Sequence, residues 1–208
     1  TLGGNILTTG KTYQIADSKT LTGTAALLNN KTVSGDGTVA VTAGDGDKDA
    51  VLSGITSTAA SYACADDTTD ITGALPAATT VTLSNTFTLA GDGMLTDGKT
   101  YQIASAKTLT GTAARLTGKT VSGAGTVAVT ALHSTLAADL GKITATGGRT
   151  AAFDGSGTFT GDLGDVTTSV STGNTLTATA AVLNGKTVSG AGTVAVTAGD
   201  GDKDAVLS

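Results

Sequence analysis

The sequence predicts an all-β fold, a single-stranded parallel β-helix with about 22 residues per coil and nine to ten coils. Two observations predict this class. A short motif returns at multiples of one length, and Thr, Ala and Gly supply about half of the 208 residues. A narrow solenoid interior needs only small and β-branched side chains, whereas a compact globule buries more aromatic area than three Phe, three Tyr and no Trp provide.

The repeat is carried by the motif Lys-Thr-Val-Ser-Gly, which begins at Lys31, Lys119 and Lys186. The offsets are 88 and 67 residues, which divided by four and by three give 22.0 and about 22.3. A common divisor near 22 indicates stacked coils that each contact only their neighbours. Longer copies agree, since residues 31–53 match residues 186–208 at 22 of 23 positions.

Coil boundaries follow from walking this period along the chain. Starts fall near residues 10, 30, 53, 76, 98, 118, 141, 164 and 185, so residues 1–208 form one repeat array. We expect right-handed coiling, by analogy with most β-helices and with parallel crossovers. Neither end resembles a polar capping repeat, so we expect either a segment of a longer array or a filament subunit that stacks end to end on itself.

Apolar residues recur about every six or seven positions, which fits three short strands per coil, and no helical period is evident. Alternation in Thr126-Val127-Ala128-Val129-Thr130 places both valines on one face of a strand. Equivalent positions of other coils are expected to stack as an inward ladder. The ladder comprises Val33, Ile55, Tyr101, Val121, Ile143, Val166 and Val188.

Comparison of the repeat copies predicts which residues are exposed and where the chain turns at one corner. The position of Arg115 holds Leu or Val in the other copies, so we expect it to face solvent. The next residue is Leu in every copy, and we expect it inside. The two residues after that suit a turn with positive φ. These turn pairs are Asn29-Asn30, Thr117-Gly118 and Asn184-Gly185.

Charge and composition exclude several function classes. Only 14% of residues are charged and the net charge is −5, which argues against nucleic-acid binding and against a polybasic membrane surface. No run of 18 apolar residues exists, so no transmembrane segment is predicted. The single Cys64 excludes an intrachain disulfide. The exterior is therefore expected to carry hydroxyl groups in place of the usual Lys and Glu.

The best candidate metal site is a Gly-Asp-rich loop that occurs twice. Carboxylates at alternate positions of a tight loop can converge on Ca²⁺. The loop resembles the first half of an EF-hand-type loop but has Ala50 in place of the sixth-position Gly and Thr56 in place of the twelfth-position Glu. The alternative is a solvated polar loop, and no cofactor is required. The candidate ligands are Asp45, Asp47 and Asp49, with Asp200, Asp202 and Asp204.

Other polar groups carry weaker signals. Carboxylate pairs can act as acid and base in polysaccharide-degrading β-helices, but few aromatic or basic residues accompany them here. The acidic candidates are Asp66, Asp67, Asp70, Asp92, Asp162 and Asp165. His133 stands alone in a loop specific to one copy, and no Ser/His/Asp spacing is evident, so we interpret it as a surface residue. We therefore expect that the protein is not an enzyme.

Thr-x-Thr pairs such as Thr20-Leu21-Thr22 and Thr175-Leu176-Thr177 resemble the Thr arrays of ice-binding β-solenoids. That function requires Thr side chains in register, coil after coil. Variable coil length and the scatter of the pairs count against it. Strand propensity and a hydroxylated exterior explain the same residues.

The units Gly-Lys-Thr-Val-Ser-Gly-x-Gly-Thr-Val-Ala-Val-Thr resemble the strand-rich repeats of large bacterial surface and secreted proteins. These include adhesins, autotransporter-type passengers and surface-layer or filament proteins. The resemblance implies an extracellular or cell-surface location and carries no catalytic residue. The leading hypothesis is a non-enzymatic structural rod whose partners are itself or a cell or abiotic surface. The alternatives are a Ca²⁺-dependent, glycan-binding or ice-binding module, and a β-helical polysaccharide-degrading enzyme.

Overall fold

The structure is a computed structural model that describes residues 6–42, 52, 54–57, 61–64, 80–89, 95 and 97–199. It confirms the predicted class, because short parallel strands stack coil on coil into a β-solenoid. The strands are β1 (Thr12–Gln14), β2 (Thr20–Thr24), β3 (Thr32–Ser34), β4 (Thr38–Thr42), β5 (Ser61–Cys64), β6 (Thr80–Leu83), β7 (Phe87–Thr88), β8 (Thr100–Ile103), β9 (Thr108–Thr112), β10 (Thr120–Gly123), β11 (Thr126–Thr130), β12 (Gly148–Phe153), β13 (Gly157–Thr158), β14 (Thr167–Val170), β15 (Thr175–Thr179), β16 (Val188–Gly190) and β17 (Thr193–Thr197).

The strands form four sheets in which every pairing is parallel. Sheet 1 contains β1 and β3, and sheet 2 runs in the order β2-β4-β5-β6-β8-β10. Sheet 3 runs in the order β7-β9-β11-β12-β14-β16, and sheet 4 in the order β13-β15-β17. Along the chain, sheet 1 is visited before sheet 2, and sheet 4 after sheet 3. We infer a three-sided rod in which sheets 1 and 4 occupy the same side at different heights.

The three copies of Lys-Thr-Val-Ser-Gly lie in three different sheets, which corrects the predicted period. Copy one forms β3 in sheet 1, copy two β10 in sheet 2, and copy three β16 in sheet 3. In-register partners lie 17 residues apart at Thr150 and Thr167 and 23 apart at Asp139 and Asp162, and most lie near 20. The 88- and 67-residue offsets therefore correspond to four and three coils plus one further side.

Each repeat copy also contains one helical turn, where the sequence predicted only strands. The turns are α1 (Ala25–Leu28), α2 (Ala113–Leu116) and α3 (Ala180–Leu183). A preceding Thr has extended backbone angles, and two Ala follow it, which suits a capped helix start. The first Ala and the final Leu of each turn are buried. Four residues are too few to show a helical period, so pattern analysis could not detect them.

The predicted corner geometry is confirmed. Asn30, Gly118 and Gly185 have φ values of 54, 68 and 64°. The Leu that ends each helical turn is buried, whereas Arg115 is half-buried and its guanidinium donates a hydrogen bond to the backbone oxygen of Leu89. The position that varies between copies is therefore the more exposed one, although it is half-buried where the sequence predicted a side chain that faces solvent.

Six of the seven predicted ladder residues lie in the core, although in several stacks. Val33 pairs with Tyr13 and bridges to Ile55, while Val121 pairs with Tyr101 and bridges to Ile143. Val188 is half-buried and stacks on Thr168, so it does not continue from Val166. The fully buried members, at 0 or 1% exposure, are Val33, Ile55, Tyr101, Val121, Ile143 and Val166.

Candidate functional surfaces

The lysine of each repeat motif reaches back one coil, to a residue 22 positions earlier. Lys31 Nζ lies 3.0 Å from Thr9 Oγ1, and Lys119 Nζ lies 2.6 Å from Asp97 Oδ1. Lys186 Nζ donates to the Gly164 carbonyl at 2.7 Å. The hydrogen bond and positive charge of Lys119 lower the pKa of Asp97. Each lysine therefore ties its coil to the preceding one, and each does so through a different acceptor.

Two Asp residues of neighbouring coils stack directly on each other. Asp139 and Asp162 form a parallel bridge, and each carboxylate closes its own turn. The Gly141 N–H donates to Asp139 Oδ1 at 3.0 Å, and the Gly164 N–H to Asp162 Oδ1 at 2.8 Å. Asp162 also lies 3.7 Å from Lys186 Nζ. These contacts stabilise turns, which is a structural use of these carboxylates.

The weak acidic candidates Asp162 and Asp165 contact different partners. Asp162 faces its own turn and Lys186, whereas Asp165 Oδ2 lies 4.0 Å from Arg149 Nη2. Both carboxylates are exposed. The remaining acidic candidates, Asp66, Asp67, Asp70 and Asp92, lie outside the described residues.

The predicted Ca²⁺ ligands also lie outside the described residues, so this site stays a prediction. They are Asp45, Asp47, Asp49, Asp200, Asp202 and Asp204. Within the part of the chain that the structure describes, no three His, Cys, Asp or Glu side chains are grouped as a metal site would require.

Outward Thr side chains form a column on sheet 3 that is interrupted by one Ala. We call this the Thr column: Thr88, Thr110, Ala128, Thr150 and Thr167 pair successively across five coils. Strand neighbours of these residues, such as Leu109 and Val127, are fully buried, so alternation directs the column outward. Rungs of a parallel sheet are about 4.8 Å apart, which makes the column periodic along the rod.

The Thr-x-Thr pairs themselves lie in different sheets, Thr20-Leu21-Thr22 in sheet 2 and Thr175-Leu176-Thr177 in sheet 4, whereas the Thr column stays in register within sheet 3. Coil length varies, but the turns absorb the variation while the strands stay aligned. A second, shorter column on sheet 2 consists of Thr80, Thr100 and Thr120. The sequence analysis did not identify either column, because it compared the number of residues per coil and could not show which residues pair between strands.

His133 is not the isolated surface residue that the sequence indicated. Its Nδ1 lies 2.6 Å from Asp154 Oδ1, and its Nε2 lies 3.0 Å from Ser134 Oγ. Asp154 follows His133 by 21 residues, which is one coil. The coil length of about 21 residues could therefore have predicted that His133 and Asp154 lie together, whereas a search for motifs of neighbouring residues could not.

No helix among the described residues is long and apolar enough to cross a membrane. Comparison of the chain with protein-family models, with curated proteins and with solved structures gave no match.

Proposed function

We propose that the chain is a non-enzymatic structural rod of an extracellular bacterial surface: a segment of an adhesin, a surface layer or a head-to-tail filament. One observation carries the proposal. The same motif forms the same strand on three successive sides of the solenoid, as β3, β10 and β16. A coil that can follow any other coil in any orientation is a modular spacer.

The contacts between coils explain how such a rod resists deformation. Backbone hydrogen bonds join neighbouring coils on every side, and sheets 2 and 3 each continue through six strands. The lysine contacts at 2.6 to 3.0 Å add a side-chain tie between coils. Since each coil contacts only its neighbours, length can change without redesign of a central core.

The exterior suits an extracellular setting. Charged residues make up 14% of the chain, and outward strand positions are rich in Thr. Hydroxyl groups keep such a surface wet without strong charge. The resemblance of the repeats to those of bacterial surface and secreted proteins supports the same setting.

Electron microscopy of the purified chain over a concentration series tests the rod. We expect either short rods of uniform width or long unbranched fibres of the same width. Short rods at every concentration support a spacer, and fibres that lengthen with concentration support a filament. Round particles, with a scattering profile of a compact globule, would contradict the proposal.

The Thr column favours a second candidate, a binding module for an ordered glycan or ice surface. An uncharged row of hydroxyls can form hydrogen bonds to a repeating ligand, and here four Thr hydroxyls flank the single gap at Ala128. Thr110→Lys would place a charge in the middle of this row, and Thr177→Lys makes the same change at the equivalent position of β15 on sheet 4. Loss of glycan retention or of ice-recrystallisation inhibition in Thr110→Lys alone supports this function. Absence of both activities in the unmodified chain rules it out.

Calcium dependence is tested separately on the Gly-Asp-rich loops. Calorimetric titration of Ca²⁺ compares the unmodified chain with the double variant Asp47→Ala and Asp202→Ala. Heat that the double variant lacks supports a Ca²⁺-dependent module. Equal traces mean that the loops are solvated polar turns.

A further inference from the structure

The coil after β11 departs from the repeat. The first and third copies continue with Gly-Asp-Gly-Asp at 44–47 and 199–202, whereas the second has Leu-His-Ser-Thr at 132–135. This segment forms a 3-10 turn, Leu132–Ser134, in which the Leu132 side chain is fully buried. Ala131 enters the turn with φ 52° and ψ 39°. A left-handed residue other than Gly is strained, and such strain is often kept where a side chain must be aimed.

The 3-10 turn and the end of β12 bring three polar groups into hydrogen-bond contact. Asp154 Oδ1 lies 2.6 Å from His133 Nδ1, and Ser134 Oγ lies 3.0 Å from His133 Nε2. With the proton on Nδ1 donated to Asp154, Nε2 is the acceptor for the Ser134 hydroxyl. Carboxylate, imidazole and hydroxyl are then connected in the order that activates a serine nucleophile.

The scaffold holds the imidazole in place. Phe153, the last residue of β12, is fully buried and fixes the position of Asp154 beside it. The ring lies against Gly155, where an added Cβ would be 2.5 Å from His133 Cδ2. The His133 side chain is 34% exposed, and Ser134 is exposed, so a reagent in solution can reach the hydroxyl.

We propose that Ser134 is an activated nucleophile that accepts acyl groups from reactive esters, a chemistry separate from the structural role of the rod. Ser134 Oγ attacks the ester carbonyl carbon while its proton passes to His133 Nε2. The carbon–oxygen bond to the leaving alcohol then breaks, and His133 returns the proton to that alcohol. Water releases the acyl group from Ser134 as a carboxylic acid. Asp154 is a positioning residue, which holds the tautomer and orientation of the ring.

The surroundings restrict which esters react. The N–H groups of Ser134 and Thr135 already donate to Ala131 and Leu132 oxygens at 3.1 Å, so neither is free to stabilise an oxyanion. One such donor contributes roughly 100- to 1,000-fold in rate. We therefore expect acylation by activated esters, whose leaving group needs little assistance, followed by slow hydrolysis.

The full chain is treated with p-nitrophenyl acetate, and the acetyl group is located by peptide mass spectrometry. We expect about one hydroxylamine-labile acetyl group per chain, on Ser134. Ser134→Ala should remove it, while acetylation of lysines continues. His133→Ala should slow labelling of Ser134 at least tenfold, with partial recovery in added imidazole. Ser105→Ala, at an exposed serine of another turn, is the matched control and should label Ser134 normally.

The role of Asp154 is tested by recovery in a conservative variant. Asp154→Asn should slow labelling, and Asp154→Glu should restore part of the rate. Melting temperatures of all variants show whether the coil is intact. Labelling of Ser134 no faster than that of Ser105 would overturn the proposal, as would a rate unchanged in a folded His133→Ala. Neither result would affect the structural rod, which is tested by its shape.

Discussion

The Lys119 ammonium lies 2.6 Å from the Asp97 carboxylate, 22 residues earlier and one coil away. The pair joins the start of one repeat strand to the corner of the preceding coil. Asp97 is 87% exposed and Lys119 17% exposed, so the bond is at the surface but anchored by the better-covered lysine.

This pair predicts a small acid-dependent loss of stability. The Lys119 hydrogen bond and charge hold the pKa of Asp97 below its ordinary value of 3.8. A carboxylate whose pKa is lowered in the folded state stabilises the fold at pH values above its pKa in the unfolded state. This stabilisation is lost as the pH falls through the pKa of the folded state. We expect Asp97→Asn to lower the melting temperature slightly at pH 7 and to have a smaller effect at pH 2. Added salt should shrink the difference.

The Lys31–Thr9 contact is the control for this pH dependence, because its acceptor is a hydroxyl. Thr9→Val should change the melting temperature equally at both pH values. An Asp97→Asn effect that persists unchanged in acid would contradict the assignment.

Val121→Asp is predicted to unfold or fray the rod. Val121 is fully buried between Tyr101 and Ile143 in neighbouring coils. A buried carboxylate without a partner costs several kcal/mol, of the order of 3–5. Urea unfolding should show a lower midpoint or a lost transition. Val188→Asp is the matched control, since Val188 occupies the equivalent repeat position but is half-buried, and its loss should be smaller. An unchanged midpoint in Val121→Asp would rule out the coil assignment.

Helix capping predicts a difference between two copies of the same turn. The Thr179 hydroxyl accepts a hydrogen bond from the Val182 N–H at 3.3 Å, whereas Thr112 forms no side-chain cap bond to α2. Thr179→Ala should therefore cost about 1 kcal/mol of unfolding free energy. Thr112→Ala should cost clearly less. Chemical denaturation of both variants measures the difference, and equal losses would show that the cap is not the cause.

Two glycines with positive φ are predicted to differ in their tolerance of Ala. Gly123 has φ 99°, and an added Cβ would be 2.4 Å from the backbone oxygen of Ile103. Gly118 has φ 68°, and nothing lies within 4 Å of its added Cβ. Gly118→Ala should cost only the strain of the backbone angle, about 1–2 kcal/mol. Gly123→Ala should cost more, because β10 must move away from β8. Circular dichroism melts of the two variants rank them.

The repeat made the solenoid predictable, because a motif that returns at multiples of one length indicates coils that stack on their neighbours. The turn at Asn30 and the burial of Leu116 were also predictable, since the copies differ there only in ways that a solvent-facing turn and a buried position tolerate. The residue types found at each repeated position were sufficient to predict both features.

Contacts between coils were less predictable. The copies lie on different sides because coils contain fewer residues than the divisor near 22, and only strand partners reveal this. The contact of His133 with Asp154 depends on the same coil length. The one-turn helices were invisible because four residues have no period.

Each copy of the motif lies one side further around the solenoid than the copy before it, so the number of copies sets both the length of the rod and the direction in which its end faces. Insertion or removal of one 88-residue unit would not only lengthen or shorten the rod. It would also rotate everything beyond that point by about a third of a revolution, because β3 and β10 differ by one side. A gene that gains or loses copies would thus change both the length of the rod and the direction in which its far end faces.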